Sequence, residues 1–385
     1  MLISEIFQAT TRQFLAPVRS LLDDASVSEI LINGPRQVYF ERKGRLHFAE
    51  ECQFPNEAAL MAAAQNIAEY VGRTLDRNHH SMDGRLPDGS RVHVIQPPSS
   101  RQGVCISIRK FQRSTFNLDH LVTLGSLSAE TAEFLKLIVL LHKNTVISGG
   151  TGTGKTSMLN ALSAAIPEFE RIVVIEDSSE LQLHQQHTVY LESQPARPDG
   201  GGQVTIRDLF VDSLRMRPDR IVVGEVRRGE ALDLIQSMIS GHPGSLTTVH
   251  ANTPRDAAIR LETLCMMSDV SLPVYVARSQ VGSALQIIIQ IARMPDGSRR
   301  VQAISECLGL DQQNNYVHQE LYAFHSRGRD AEGRILGELI HTGAIPSFSA
   351  EPFRLGLGEQ VVLTKNVFMP AGVANPSEPR AETRP

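Results

Sequence analysis

The sequence has little cysteine, no long apolar run and no excess of basic charge. The longest apolar runs, at 137–141 and 287–289, are far shorter than the roughly 20 residues that a membrane-spanning helix needs. The four cysteines lie far apart and form no Cys-x-x-Cys pair: Cys52, Cys105, Cys265 and Cys307. This spacing fits neither a zinc site nor a disulfide framework, and it favours reduced thiols.

The charge balance and the N-terminal residues argue against a generally basic nucleic-acid-binding protein and against a secreted one. The chain has 38 Lys and Arg against 42 Asp and Glu, a net charge of −4. Composition therefore gives no sign of a whole-protein attraction to nucleic acid or anionic lipid, although it leaves a local basic patch open. Glu5 and Arg12 interrupt any apolar region of the kind that a signal peptide has. We expect a cytoplasmic protein without a transmembrane segment, which reaches a membrane only through partners.

One glycine-rich stretch organises the chain, NTVISGGTGTGKT at 144–156, which satisfies G-x-x-x-x-G-K-[ST]. Its glycines allow positive φ, so that backbone N–H groups can surround phosphate oxygens, and the start of the following helix favours the same anion. The motif predicts that Lys155 reaches the β- and γ-phosphates and that the Thr156 hydroxyl binds Mg²⁺. The predicted nucleotide-binding residues are Gly150, Thr151, Gly152, Thr153, Gly154, Lys155, Thr156 and Ser157.

Hydrophobic periodicity predicts two α/β regions around this loop. Before it, the predicted helices are 1–22 and 56–71, and the predicted strands are 27–32, 37–42, 46–48, 85–86, 91–95 and 104–109. A helix capped by Ser128 is predicted to run to about Leu141. After the loop, strands are predicted at 171–176, 220–224 and 245–250, and helices at 206–216, 230–239 and 254–267. This alternation predicts a mainly parallel sheet covered on both faces, followed by an antiparallel hairpin at 284–308.

Three polar clusters fall at the ends of predicted strands, where doubly wound sheets place their ligands. The first is VIEDSSE at 174–180, the second is RIVVGEVR at 220–227, and the third is GHPGSLTTVHANT at 241–253. Taken singly, carboxylates after a strand are often helix caps, and a histidine there is more often structural. Beside a phosphate loop they acquire a common use, because phosphoryl transfer needs groups that hold Mg²⁺, position water and sense the γ-phosphate.

With these motifs in register over about residues 20–310, the chain resembles the secretion and pilus-assembly ATPase superfamily of type II and type IV secretion and type IV pili. It is most similar to the CpaF/TadA-type tight-adherence pilus ATPases. The segments MRPDR at 216–220, DGRLPDGSRV at 83–92 and IRKF at 108–111 add to the resemblance. The resemblance implies a RecA-like P-loop NTPase domain with a smaller two-layer α/β, PAS-like N-terminal domain, acting as a homo-hexamer with ATP and Mg²⁺.

The resemblance also implies roles for residues at matching positions. Glu180 matches the glutamate that activates the attacking water, Glu225 the Walker B glutamate near Mg²⁺, and His250 the histidine that senses the γ-phosphate. Three further residues match arginines that the N-terminal domain contributes around the nucleotide: Arg85, Arg91 and Arg109. A guanidinium aimed at the transferred phosphoryl accelerates the reaction, but an ordinary strand arginine at a solvated edge is the alternative for each.

The chain departs from the family pattern in places. Gly224 precedes Glu225 where the general Walker B pattern has aspartate, so we expect indirect Mg²⁺ ligation there. Arg228 stands where glycine is expected, which bears little on the chemistry. The four-cysteine zinc module of the main type II branch is missing, which argues against a type II assignment. The chain starts almost directly at the N-terminal domain, so we expect its docking to the membrane to differ from that of longer relatives.

These observations predict a cytoplasmic ATPase that powers pilus assembly or protein secretion through an inner-membrane platform protein. Two alternatives remain, a nucleotide-dependent regulator without productive hydrolysis and a DNA translocase of a conjugation-like system, although we expect no direct contact with nucleic acid. The predicted layout is an N-terminal domain at 1–115, a linker at 116–127, the RecA-like domain at 128–310, a C-terminal extension at 311–369 and a disordered tail at 370–385.

Overall fold

The structure, a computed structural model, describes residues 10–42, 44–110, 117–194, 196 and 200–368. The predicted disordered tail at 370–385 lies outside the described residues, as do residues 1–9 and the predicted boundary at 115. The chain forms two compact units: Met1–Ser114 with Ala196–Gly202, and Thr115–Pro195 with Gln203–Pro385.

The first unit is built on an antiparallel sheet of six strands in the order β3-β2-β1-β6-β5-β4. The strands are β1 Val27–Asn33, β2 Val38–Arg42, β3 Arg45–Phe48, β4 Ser81–Arg85, β5 Arg91–Ile95 and β6 Cys105–Arg109. The helices are α1 Arg19–Asp23 and α2 Glu57–Tyr70. Alternate strand residues such as Ile30, Val92 and Ile108 are buried in one core with Leu60 and Ile67 of α2, which makes a two-layer α/β unit.

The described part of the predicted N-terminal helix, 1–22, is not one continuous helix. A 3₁₀ helix at Ala16–Val18 comes before α1. Pro17 explains the interruption, because proline has no N–H to donate and its ring crowds the preceding turn. The apolar residues kept the spacing of a helix, so the prediction missed the break.

The second unit contains a sheet of nine strands in the order β15-β14-β13-β12-β7-β11-β10-β8-β9. The strands are β7 Thr145–Gly149, β8 Ile172–Glu176, β9 Thr188–Glu192, β10 Arg220–Val223, β11 Leu246–Val249, β12 Ile287–Arg293, β13 Arg299–Leu310, β14 Tyr316–Arg329 and β15 Ile335–His341. The six strands from β12 to β9 are parallel, and β13, β14 and β15 are antiparallel. The predicted mainly parallel sheet and its antiparallel hairpin are confirmed.

Helices cover both faces of this sheet. They are α3 Leu118–Thr123, α4 Ala129–Leu140, α5 Lys155–Ser163, α6 Ile206–Ser213, α7 Glu230–Ser240, α8 Pro254–Cys265, α9 Val274–Ala284, α10 Glu351–Arg354 and α11 Lys365–Phe368. Along β8, Ile172 and Val174 belong to the core under α4 and α5, whereas Val173 and Ile175 belong to the core under α7 and α8. This alternation is why the parallel strands read as continuous apolar runs.

Two segments differ from the predicted layout. Residues 117–127 of the predicted linker include α3, and Leu118, Leu121 and Leu127 are buried in the core of the second unit. Residues of the predicted C-terminal extension lengthen the nine-stranded sheet through β14 and β15 and bury Phe348 and Phe368 against Phe134 of α4. Both segments therefore belong to the body of the second unit, because their apolar side chains complete its core. Among the described residues, no helix is long and apolar enough to cross a bilayer.

Candidate nucleotide site

The phosphate loop joins the buried strand β7 to helix α5 at the carboxyl end of the parallel strands. Gly152 and Gly154 have φ of +72° and +96°, which only glycine adopts without strain, and Gly154 is the N-cap of α5. The Thr153 hydroxyl donates to the Gly150 carbonyl over 2.9 Å and closes the loop. A Cβ at Gly149 would lie 2.7 Å from the Ile291 carbonyl, so β12 also packs directly against the loop.

Lys155 is buried at the first position of α5. Its ammonium donates to the carbonyls of Gly149 and Gly150 over 3.1 and 2.9 Å, and it lies 3.3 Å from Nδ1 of His250. Burial lowers the pKa of Lys155, and the nearby Glu225 carboxylate offsets part of that effect. The loop thus holds a desolvated positive charge where phosphate oxygens are predicted to bind.

The contact with Lys155 fixes the tautomer of His250. An ammonium can only donate, so Nδ1 of His250 accepts, and the ring proton is carried by Nε2. Nε2 lies 3.1 Å from Oε1 of Glu225 and donates to it. Burial and then the charge of Lys155 lower the pKa of His250. The histidine is therefore a neutral bridge between the phosphate loop and the Walker B strand.

Glu225 is shared between His250 and an arginine two residues further along the chain. Its Oε2 accepts from one terminal nitrogen of Arg227 over 2.9 Å, and the second terminal nitrogen donates to Oδ2 of Asp177 over 3.1 Å. The hydrogen bond with Glu225 is the main cause that raises the pKa of Arg227. We call Lys155, His250, Glu225, Arg227 and Asp177 the charged row. It links the carboxyl ends of β7, β11, β10 and β8, which are neighbours in the sheet.

Glu180 lies on the turn that follows β8. Its backbone N–H and that of Leu181 donate to the buried carboxylate of Glu176, over 2.8 and 3.1 Å. The charges of Asp177 and Glu180 also contribute to the raised pKa of Arg227. Glu180 therefore stands close to the charged row through Arg227, and its action on water remains a prediction.

Three members of this arrangement received no role from the sequence. Arg227 and Asp177 lie inside the quoted motifs, but only their distances show that they contact each other. Arg299, which follows the turn between β12 and β13, donates from Nε to the Gly152 carbonyl over 3.0 Å. The sequence shows that Arg299 follows the Pro-Asp-Gly-Ser turn. It does not show which loop this turn approaches, so the contact with Gly152 could not be predicted.

The donor set suits Mg²⁺. In the part of the chain that the structure describes, no group of three or more His, Cys, Asp or Glu side chains is arranged to hold a metal ion. Mg²⁺ in nucleotide sites needs no such cage, because it keeps waters and takes substrate phosphates with one or two protein oxygens. The Thr156 hydroxyl on the first turn of α5 and the Glu225 carboxylate, with 21% of its side chain exposed, are oxygen ligands of this kind. Their ligation of Mg²⁺ remains a prediction.

The predicted arginines belong to the first unit, and they share one row of its sheet. Arg91 of β5 stands directly opposite Arg85 of β4 and directly opposite Arg109 of β6, and Arg109 stands opposite Glu29 of β1. Directly opposite residues of neighbouring strands share one face of the sheet, so the three arginine side chains form one row on that face. They lie in the other unit from the phosphate loop, and their role at the nucleotide remains a prediction.

Comparison with known proteins extends this picture. A family model described as type II/IV secretion system protein matches residues 11–340. A putative conjugal transfer protein of Mycobacterium tuberculosis (strain H37Rv) is 34% identical over 331 residues, 84% of this chain and 92% of that protein. The type IV secretion system protein VirB11 of Bartonella henselae is 32% identical over 329 residues, 75% of this chain and 91% of that protein.

Among solved structures, the pilus retraction motor PilT with bound ADP has a TM-score of 0.53 and 18% identity, over 78% of this chain and 84% of that one. This likeness supports the RecA-like fold alone. The family model and the two relatives each span most of the chain. The structure also places a phosphate loop next to Glu225 and His250. The chain therefore belongs to the type II/IV secretion system protein family, and it is an ATPase of that family.

Proposed function

We propose that this protein is the cytoplasmic motor that hydrolyses ATP to power pilus assembly or protein secretion through an inner-membrane platform protein. The charged row carries the proposal. Its hydrogen bonds of 2.9–3.3 Å join the phosphate loop to three segments. These are the polar cluster at 241–253, which we call the histidine box, the Walker B segment that follows β10, and the residues 174–181 after β8, which we call the acidic box. Phosphoryl transfer depends almost entirely on positioning and electrostatics, which a connected set of charges around a phosphate loop supplies.

In this proposal the loop residues from Gly150 to Ser157 bind the phosphates of ATP. Lys155 neutralises the β- and γ-phosphates, and Thr156 and Glu225 hold Mg²⁺, which supplies further neutralisation of the phosphate charge when it is bound. His250 senses the γ-phosphate, since its Nδ1 already shares the Lys155 ammonium that the phosphate would attract. Glu180 activates the attacking water.

The proposal includes a ring of six copies and a supporting role for the first unit. Arg85, Arg91 and Arg109 would stabilise the charge that develops on the transferred phosphoryl, because a guanidinium is always charged and matches phosphate geometry. The proposed layout keeps an N-terminal domain at 1–115 and a RecA-like domain from 128, but residues 117–127 of the predicted linker pack on the core of the second unit. The protein would reach the inner membrane through its platform partner.

Steady-state hydrolysis by purified protein tests the motor activity. We expect the wild type to turn over ATP with Mg²⁺, Lys155→Ala to lose about a hundredfold or more in rate, and Glu180→Gln to bind ATP but hydrolyse it slowly. Lys136→Ala is the matched control, because Lys136 lies on the surface of α4 and pairs with Asp119. A wild-type protein that binds ATP and never hydrolyses it would support the regulator instead.

The proposal also concerns which secretion or pilus system the motor drives. The motifs favour a tight-adherence pilus ATPase of the CpaF/TadA type, whereas the name of the Mycobacterium tuberculosis relative favours a conjugation-like system. We expect the cytoplasmic region of a multi-spanning platform protein encoded beside this gene to stimulate hydrolysis. DNA is expected to have no effect, given the net charge of −4. Stimulation by DNA that salt abolishes would favour the conjugation-like translocase.

A further inference from the structure

Arg227 is the member of the charged row that connects the segment after β10 to the segment after β8. Its guanidinium donates to Glu225, which like Arg227 follows β10, and to Asp177, which follows β8. A planar guanidinium can serve two carboxylates with separate N–H groups, which a lysine ammonium does with less directional control. Asp177 is fixed in turn by the Ser193 hydroxyl, which donates to its other oxygen over 2.7 Å. Arg227 therefore connects two strand ends through side chains that are themselves held.

We propose that Arg227 is a positioning residue that holds the Glu225 carboxylate toward His250 and transmits the occupancy of the phosphate loop to the acidic box. This inference rests on the proposed function, and it assigns a role to Arg227, which had none in that proposal. One hydrogen-bonded path runs from Lys155 through His250, Glu225 and Arg227 to Asp177. Asp177 stands three residues before Glu180, on the turn that Glu176 braces.

Solvent exposure indicates that the contact between Arg227 and Asp177 contributes little to the stability of the fold. The side chains of Arg227 and Asp177 are each 54% exposed, and an exposed ion pair contributes little to the free energy of folding. Glu225 is more enclosed, at 21%, and its two oxygens have different partners. Loss of Arg227 would leave His250 as the sole partner of Glu225 in the charged row. The carboxylate would then be free to turn, and the path to Asp177 would be cut.

A phosphate bound at Lys155 would act on this path at its first step. Lys155 donates to His250 in the structure, and an anionic γ-phosphate competes for the same ammonium. His250 and Glu225 must then rearrange together, because the tautomer of His250 ties the two contacts to each other. Because Arg227 is hydrogen-bonded to both Glu225 and Asp177, a movement of Glu225 also displaces Asp177. Nucleotide binding at the phosphate loop thereby changes the conformation of the acidic box.

The test compares Arg227→Gln with Arg228→Gln, which makes the same charge change one residue away. Arg228 is exposed, and its side chain has no hydrogen-bond partner among the residues that the structure describes. We expect Arg227→Gln to lower kcat for ATP about tenfold to a hundredfold with KM changed less than about threefold, and Arg228→Gln to match the wild type. Equal kcat values for the two variants would overturn the inference and leave the motor activity intact.

Hydrogen exchange supplies a readout that needs no hydrolysis. A non-hydrolysable ATP analogue with Mg²⁺ should protect backbone amides of the phosphate loop, 149–156, and of the acidic box, 174–181, in the wild type and in Arg228→Gln. In Arg227→Gln we expect protection of the loop alone. Protection of both segments in Arg227→Gln would refute the relay. A wild type that binds no analogue would overturn the proposed function together with the inference.

Discussion

At the scale of single residues, close packing decides which side chains can stand beside the phosphate loop. A Cβ at Gly224 would lie 2.9 Å from Cγ of Glu176, which is closer than carbon atoms pack. Glu176 is buried, and its carboxylate accepts the N–H groups of Glu180 and Leu181. The aspartate of the general Walker B pattern would not fit here unless Glu176 moved. Gly224 is thus the residue that lets Glu176 brace the turn carrying Glu180.

We expect Gly224→Ala to lower the free energy of unfolding by about 1–3 kcal/mol, because the added methyl group must displace Glu176. Urea unfolding measures this change. Gly150→Ala is the control, since a Cβ there would meet only the Thr153 methyl group, at 3.8 Å. The control should stay within about 0.5 kcal/mol of the wild type. Equal stabilities of the two variants would show that Glu176 does not set this constraint.

Arg299 supports the phosphate loop from outside. Its Nε donates to the Gly152 carbonyl, and its Cδ would lie 3.3 Å from a Cβ at Gly154. We expect Arg299→Ala to weaken ATP affinity about fivefold, or about 1 kcal/mol, because the loop loses this hydrogen bond. Fluorescence titration with an ATP analogue measures the change. Arg293→Ala, which alters an exposed arginine of the preceding strand, should bind like the wild type, and equal affinities for both variants would contradict this role.

At the scale of elements, a buried arginine connects several elements at the amino end of the parallel strands, the end opposite the phosphate loop. Arg220 begins β10, and its guanidinium donates to Glu170 just before β8, over 2.5 Å. It also donates to the Val139 carbonyl of α4 and to the Gly244 carbonyl before β11, over 2.6 and 3.2 Å. Every guanidinium nitrogen therefore has a partner. This matters because a buried charge without partners is costly.

We expect Arg220→Ala to lower the free energy of unfolding by about 3–5 kcal/mol, because it leaves Glu170 buried without its ion pair. Urea unfolding at neutral pH measures this, and Arg215→Ala, an exposed arginine of the preceding segment, is the control with little expected change. A loss as small as that of the control would mean that solvent reaches Glu170 and replaces the guanidinium.

The same pair predicts a pH dependence. Burial alone would raise the pKa of Glu170, but hydrogen bonds from His142 and Arg220 outweigh it, and the net pKa is lowered. A carboxyl group whose folded pKa is lowered stabilises the fold above its unfolded pKa, about 4.3 for glutamate, and loses this contribution as the pH falls further. The stability gap between the wild type and Glu170→Gln should therefore narrow below about pH 4.3, and a gap that widens there would contradict the lowered pKa.

Elements with strong local signals were predictable from the sequence. Ser128 caps α4, Asn56 caps α2, and the apolar run of β8 is buried on both faces, as their residue types indicate. Helix α9 was missed, because its β-branched residues and Gly282 weaken the helical signal. Strand β9 was missed because it lies at the edge of the sheet with its side chains partly exposed, so it lacks an apolar run.

The candidate site shows a similar limit. Each motif could be placed at a strand end, and the structure brings Lys155, Glu225 and His250 together there. The contacts of Arg227 and Arg299 could not be predicted, because they depend on the order of strands in the sheet and on the direction of one hairpin. The roles of the matched residues in hydrolysis remain predictions at this scale.

At the scale of the whole molecule, the proposed function requires both units and several copies of the chain for hydrolysis. The phosphate loop and the charged row belong to the second unit, and the arginine row formed by Arg85, Arg91 and Arg109 belongs to the first. A ring of identical chains would supply both to every nucleotide. If the proposal is right, activity depends on assembly, and the rate per chain falls when the protein is diluted.

The most direct measurement is the steady-state ATPase rate per chain against protein concentration, for the wild type, Lys155→Ala, Glu180→Gln and Arg91→Ala. Arg101→Ala, an exposed arginine of the first unit, is the control for Arg91. We predict that the rate per chain rises with concentration for the wild type and the control, and that the other three variants lose it. A rate independent of concentration, with Arg91→Ala as active as the wild type, would contradict the claim.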